Sequence, residues 1–562
     1  HGYDIVDHQT LNPELGSTAD YEAFVTALQA HGMQQILDIV PNHMGIAGGD
    51  NAWWMDVLEN GPSSPYAAFF DIDWQPLKAE LREKVLLPIL GDHYGTVLEN
   101  QELRLSYVDG AFMVRYHEHR LPLAPRSYTL LLKDCLPILR ESLGQEHPQT
   151  MECESILTAL GYLPTRTEKG AERLAERYRE KEVIKRRLAA LYEACPAFQT
   201  ALEQVLYSIN GVAGEPASFD RLDRLLNEQA YRLSFWRTAA DEINYRRFFD
   251  INDLAGLSMD LPVVFTATHA LILHLLEEGK LAGVRIDHPD GLADPLAYFQ
   301  RLQQAYVLRQ AQRLLDSQAP GTQDDSTLAV LQAELAVAGA GQAQDLGTRP
   351  LYMVVEKILG PAERLPLSWP VHGTTGYDFL HQLNGLFVAR IQARAFRSLY
   401  AAFVGEPGTF PEMVYTAKKL IMETAMASEL YVLGAHLDRL SETQRSWRDF
   451  TRNSLVAALR EVIACFPVYR TYLGPTTSEL TAGDRAAIDT AVAQARRRNP
   501  AMSSAIFDYV YDVLRLRFPD GSTAALQQAQ RQFVQRFQQL TGPVMAKGVE
   551  DTTFYRYTPL AS

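Results

Sequence analysis

What the chain lacks narrows its function first. Cysteine is scarce: four residues (Cys135, Cys153, Cys195 and Cys465) are spread over 562 positions, and no CxxC occurs. That spacing supports neither a dense disulfide framework nor a zinc knuckle, and it makes a reducing, cytoplasmic setting the default expectation. Positive charge is in deficit, with 53 basic residues against 68 acidic ones and a net charge of -15. Nonspecific nucleic-acid binding, which depends on neutralising phosphates, is therefore not expected. No apolar run reaches the roughly 18 residues that a membrane span needs, so no membrane partner is expected. No signal peptide, internal repeat or Gly-rich phosphate loop is visible, and neither a nucleotide cofactor nor any other is implied.

The chain does contain a helix-then-strand rhythm. STADYEAFVTALQAH (17–31) predicts a helix capped by Ser17 with Asp20 three residues on, with Tyr21, Phe24, Val25 and Leu28 on one face. QQILDIVPNH then predicts a buried strand and its loop. The stretch from 93 to 122 alternates around Asp109-Gly110, a hairpin signal. Residues 126–260 read as mostly helical, including a highly charged segment, TEKGAERLAERYREKEVIKRRLAALYEA, expected to be a solvated surface helix. The rhythm returns at KLAGVRIDHPDGLADPLAYFQRL and LYMVVEKILG; residues 316–348 read as a variable insertion. Residues 380–540 read as helical, and PVMAKGVEDTTFYRY as one more strand with its loop. The expected organisation is a barrel portion (1–92), an inserted hairpin and helical subdomain (93–260), a second barrel portion (261–380), a helical insertion (381–540) and a return to the barrel (541–562).

Three apolar runs end in polar groups: ILDIVPNH, AGVRIDHPDG and LYMVVEKILG. Parallel α/β barrels place their chemistry at the C-terminal ends of strands. Within GVRIDH, Arg285 and Asp287 are two apart and share a strand face. A guanidinium beside a carboxylate lowers its pKa, which suits a nucleophile. Glu356 follows Val354 and Val355, and apolar neighbours keep an acid protonated, which suits a general acid. Two carboxylates in opposed environments about 5–5.5 Å apart are what retaining glycoside hydrolysis requires. An internal salt bridge bracing the sheet explains the Arg285–Asp287 spacing equally well. HEH (117–119), read as lying in a hairpin strand, lacks the HExxH spacing, so no metal site is expected. Trp53 and Trp54 suit sugar stacking or a buried pair, and FFDIDW (69–74) reads as core.

The ordered set DIVPNH (38–43), GVRIDH (283–288) and VVEKI (354–358) resembles the first three conserved segments of the α-amylase family of glycoside hydrolases, and HGYD (1–4) resembles the loop carrying its sugar-stacking tyrosine. HGYDIVDHQTLNPELG, NAWWMDVLENGPSSPYAAFFDIDW, EINYRRFFDINDLAGL, GVRIDHPDGLADP and TGPVMAKGVEDTTFYRY resemble one branch of that family, the maltooligosyltrehalose synthases. The resemblance implies a (β/α)8 TIM-barrel catalytic domain with large, mostly helical insertions. It implies Asp287 as nucleophile, Glu356 as general acid/base and Arg285 as the group orienting Asp287. It also implies a substrate-binding set: Tyr3 stacked under the sugar at the cleavage point, His43 bonding that sugar's hydroxyls, Asp38 and Asn42 bracing the arginine and the loop, and Asp4 and His288. Tyr245, Arg246 and Arg247 fall in a block distinctive of the branch and are expected to shape the cleft. The substrate implied is a maltooligosaccharide or α-1,4-glucan, isomerised at its reducing end to an α,α-1,1 linkage. The pathway partner implied is a maltooligosyltrehalose trehalohydrolase. A hydrolase of the same family and a noncatalytic glucan-binding protein are the competing readings. The family's third carboxylate, an aspartate after a histidine, has no counterpart, because none of the 14 histidines is followed by Asp. The resemblance therefore implies an internal piece of a longer protein, lacking the first and last barrel strands.

Overall fold

The structure is a computed structural model and describes residues 2–318, 330, 333–334, 349–360, 363–405, 408–475 and 480–558. Most of the expected variable insertion at 316–348 lies outside the described residues. The chain divides into two compact units, one of residues 1–7, 44–247 and 251–256, the other of residues 8–43, 248–250 and 257–562.

In the first unit, Asp109-Gly110 makes the expected tight turn. Both residues have positive φ (49° and 82°), as a two-residue hairpin turn that follows the strand twist requires. The turn joins Arg104–Val108 to Ala111–Tyr116, and a third antiparallel strand, His119–Pro122, extends the sheet. HEH straddles the turn and that third strand: His117, with a left-handed backbone (φ 49°), and Glu118 make the turn, and His119 opens the strand. Helices Thr129–Leu143, Pro148–Tyr162, Ala171–Ala194 and Pro196–Ile209 follow. The charged helix Ala171–Ala194 is not simply solvated. Arg177, Lys181 and Lys185 recur at intervals of four and form one stripe, and Arg177 and Lys181 are buried. Lys181 Nζ donates to Asp56 (3.2 Å) and Glu59 (3.0 Å) of the helix Ala52–Asn60, and Lys185 also pairs with Glu59. Burial is tolerated because each of these lysines meets a carboxylate. Trp54, Phe69 and Phe70 are core residues, with Trp54 edge-on to Phe70 at 4.9 Å.

The second unit is built on four parallel strands in sequence order: Ile36–Ile39, Gly283–Ile286, Tyr352–Val355 and Gly373–Thr374. The capped helix Thr18–Ala30 precedes the first strand, with Ser17 and Asp20 forming a reciprocal capping box. Its apolar stripe is only partly used: Val25 is buried and Phe24 is 51% exposed. The first strand is likewise not the fully buried strand expected. It is the edge of the sheet, and Ile36 is 50% exposed while Ile39 is buried. Helices Pro262–Glu277 and Pro295–Gln318 precede and follow the second strand.

Beyond the sheet the unit is helical, around a core that includes Leu437, Leu459, Val462, Ile488, Phe507, Val510, Phe533 and Phe537. PVMAKGVEDTTFYRY is helical, not a strand. Helix Ala524–Met545 runs into a π-helical stretch, Ala546–Thr553, and then Phe554–Arg556. The hydroxyls of Thr552 and Thr553 donate five residues back, to the Lys547 and Gly548 carbonyls at 2.8 and 2.7 Å, which favours the wider turn over an extended chain.

The second and third strands approach closely at Gly283, where an added Cβ would lie 2.5 Å from the Tyr352 carbonyl oxygen. Gly283→Ala is expected to destabilise the fold by about 1–3 kcal/mol through overpacking. Urea unfolding measures this, and an unchanged midpoint would contradict the strand spacing described.

Candidate active site

Register places the polar groups. Asp38, Arg285 and Val354 are aligned across the first three strands, so their side chains share one face. Asp287 and Glu356 each lie two residues further on, on that same face. The backbone ladder continues to this level: Asp287 N–H donates to the Ile39 carbonyl and Glu356 N–H to the Ile286 carbonyl, both at 2.9 Å.

Arg285 is shared between two carboxylates. Its NH1 donates to Asp38 Oδ1 and Oδ2 at 2.7 and 2.8 Å, and to Asp287 Oδ1 at 2.7 Å. Burial opposes the Arg285 charge, but the two carboxylates outweigh it and raise its pKa. The sequence spacing leads one to expect Asp287 below its ordinary value. The structure reverses that direction. Burial pushes Asp287 up, and Arg285, whose charge Asp38 also uses, only partly offsets it. Glu356 is pushed up as anticipated, first by burial and then by the neighbouring Asp287 charge. The two carboxyls still differ. Asp287 meets a guanidinium, shared with Asp38, whereas Glu356 Oε2 accepts a single backbone N–H, from His288, at 3.1 Å. The guanidinium favours the charged form of Asp287 more strongly than the lone backbone N–H favours that of Glu356.

The loops complete the face. His288 has a left-handed backbone (φ 44°), rare for a residue with a side chain, and that conformation accompanies the bond from its N–H to Glu356. His43 is fully buried, stacked on Phe248 with ring centres 4.2 Å apart. Its Nδ1 lies 3.3 Å from Asn42 Nδ2. Phe248 and Phe249 both meet the His288 ring edge-on, at 5.1 and 5.3 Å. Asn42 packs against Gly291, where an added Cβ would meet Asn42 Oδ1 at 2.4 Å.

Asp38, Asn42, His43, Arg285, Asp287, His288 and Glu356 all belong to the second unit, and Tyr3, Asp4, Tyr245, Arg246 and Arg247 to the first. Tyr3 is 47% exposed. Tyr245 and Arg247 are buried, with the Tyr245 hydroxyl donating to the Asn252 carbonyl (2.8 Å) and Arg247 to Asn252 Oδ1 (2.9 Å). Arg246 Nε donates to Asp71 at 3.1 Å.

Residues 1–96 match the model of the alpha-amylase catalytic domain. Over 564 aligned residues, covering all of this chain and 51% of the relative, the sequence is 27% identical to a putative maltooligosyl trehalose synthase of Mycobacterium tuberculosis. The solved maltooligosyltrehalose synthase from Arthrobacter ramosus superposes with a TM-score of 0.63 at 27% identity, again over all of this chain and 51% of that one. Over its whole length the chain is similar to maltooligosyltrehalose synthases, and over its first 96 residues to the alpha-amylase catalytic domain. An intracellular maltogenic amylase of Bacillus subtilis matches a much shorter stretch, 35% identical over 77 residues. The chain spans about half the length, 51%, of the synthase relatives it matches. Its parallel strands belong to a TIM-barrel-like α/β fold.

Sequence reasoning missed the groups beneath the face. Lys357, Asp290, Arg470 and Tyr472 form a buried set within contact distance of one another. Tyr377 was also missed; burial and the Glu356 charge raise its hydroxyl pKa. Lys357 adjoins Glu356 and Asp290 lies three residues past Asp287, but nothing in the sequence signals that Arg470 and Tyr472 reach them.

Because the Asp287 charge pushes Glu356 up, Asp287→Asn is expected to make Glu356 titrate at lower pH. Carboxyl 13C NMR, assigned with Glu356→Gln, reads the shift. An unchanged or raised Glu356 value would contradict the coupling.

Proposed function

We propose that the protein performs intramolecular transglycosylation on maltooligosaccharides, converting the reducing-end α-1,4 linkage to an α,α-1,1 linkage and so yielding maltooligosyltrehalose. The observation that carries this reading is the register of Asp287 and Glu356. Neighbouring strands lie about 4.8 Å apart, which suits the roughly 5–5.5 Å of a retaining pair. The family relatives supply the reaction class, and as the chain spans half their length the activity is a proposal for the whole protein.

Asp287 attacks the anomeric carbon while Glu356 delivers its proton to the departing glycosidic oxygen, leaving a β-linked glycosyl-enzyme and a free glucose. Arg285 orients Asp287 and favours its ionised form against burial. Glu356, now a base, takes the proton from the anomeric hydroxyl of the retained glucose, which attacks the glycosyl carbon and releases Asp287. Two inversions retain the configuration. Holding the glucose in place gives it an effective concentration that outcompetes water. In the second unit His43, at a sugar's hydroxyls, and His288 are substrate-binding residues, and Asp38 and Asn42 brace the arginine and the loop; in the first unit Tyr3, stacking under a sugar, and Asp4 are substrate-binding residues. Tyr245, Arg246 and Arg247 help shape the substrate cleft. The reaction is cytoplasmic, needs no cofactor, and its product suits a maltooligosyltrehalose trehalohydrolase. Among the described residues no helix is long and apolar enough to cross a membrane.

Proton NMR of maltopentaose with the protein tests the proposal. Reducing-end signals should vanish and a 1,1-linked anomeric signal appear at constant chain length. Asp287→Asn and Glu356→Gln should each slow this at least about 10³-fold. Accumulation of shorter reducing sugars would instead mark a hydrolase.

A further inference from the structure

We propose that the buried ion pair between Lys357 and Asp290 is a positioning device that fixes the separation of Asp287 and Glu356. The inference rests on the roles given to those two carboxylates above.

Lys357 directly follows Glu356, so along an extended chain its side chain leaves the opposite face. It is fully buried, with Nζ 3.1 Å from Asp290 Oδ2 and 3.3 Å from Glu363 Oε1, and it donates to the Ile358 carbonyl at 3.0 Å. Nζ also sits 5.1 Å above the Tyr469 ring. Asp290 lies three residues beyond Asp287 and is itself buried. Its Oδ1 accepts the Tyr472 hydroxyl at 2.6 Å, and its backbone carbonyl accepts Arg470 NH1 at 2.7 Å. Arg470 also donates to the Leu292 carbonyl at 2.6 Å, and Gln539 to the Gly291 carbonyl at 2.9 Å.

The loop after Asp287 is thus held at both levels. On the site face, the His288 N–H meets Glu356. Beneath it, the Asp290 carboxylate meets Lys357. The residue after Asp287 is tied to Glu356 itself, and the residue after Glu356 is tied to Asp290, three positions past Asp287, so the Lys357–Asp290 contact and the Asp287–Glu356 separation are set by the same short loop. Burial alone would raise Asp290, yet Lys357, Arg470 and Tyr472 together hold it below the usual carboxylate range, so the tie is ionic. A fully paired buried charge tolerates little displacement, because separating the partners exposes each to an apolar surround. Arg470, Tyr472 and Gln539 come from the helical part of the unit, which gives that part a mechanical role in the chemistry.

The test uses Lys357→Met, Asp290→Asn, the double variant and Lys357→Arg in the full chain, assayed on maltopentaose, with urea midpoints to correct for folded fraction. A misplaced pair is expected to lower kcat by about 10²-fold in Lys357→Met, with KM moved far less. The double variant should be no worse than the poorer single one, and Lys357→Arg should recover most of kcat. A purely structural role predicts losses that track the folded fraction, with no split between kcat and KM, and that result would overturn the proposal. Should Lys357→Met not fold, Asp290→Asn, which keeps a partner for Tyr472, carries the same kcat expectation. The carboxyl titrations of Asp287 and Glu356 by 13C NMR give a readout independent of turnover. Their mutual coupling should change in Asp290→Asn, and unchanged titrations would overturn the positioning role. If the unaltered protein isomerises nothing, the functional reading fails while the titrations still decide the positioning role.

Discussion

One guanidinium holds two carboxylates at the ends of two neighbouring parallel strands. Arg285 reaches Asp38 on the neighbouring strand and Asp287 two residues along its own, each at 2.7 Å. Both contacts require a single register between parallel strands, and a slip of one residue would turn every one of these side chains to the opposite face. The same register sets Glu356 beside Asp287. Sheet pairing, a backbone property, thus determines the electrostatics of the site.

The electrostatics follow from competition between burial and sharing. A lone guanidinium beside a carboxylate depresses its pKa, but here burial is larger and the cation is divided. Both carboxyls are therefore raised, and their roles are separated by what each touches. Asp287 meets a permanent cation; Glu356 meets a backbone dipole and a neighbouring anion. That difference favours the ionised form at Asp287, through its guanidinium, more than at Glu356.

The sequence made part of this legible. Apolar runs ending in Asp38, Asp287 and Glu356 pointed to strand ends, and the two-residue spacing of Arg285 and Asp287 gave their common face. Ser17, Asp20 and Gly110 signalled local structure that depends only on near neighbours, and it is present. What failed was decided by distant partners. The charge of Ala171–Ala194 read as solvated because Asp56 and Glu59, more than a hundred residues earlier, were not visible as its counter-ions. Pro543–Tyr557 read as a strand with its loop, whereas it is helical, and threonine hydroxyls bonding five residues back accompany the π-helical stretch Ala546–Thr553 within it. The sign of the Asp287 shift also lay beyond the sequence, since burial is a property of the whole unit.

The central claim is that Asp287 is the nucleophile and Glu356 its proton partner. Intact mass spectrometry of Glu356→Gln protein exposed to α-maltosyl fluoride tests it most directly, because fluoride departs without a general acid and the missing base slows release. A one-to-one glycosyl adduct mapping to the peptide that contains Asp287 is the predicted result. An adduct on another residue, or none while the unaltered protein turns the fluoride over, would contradict the account.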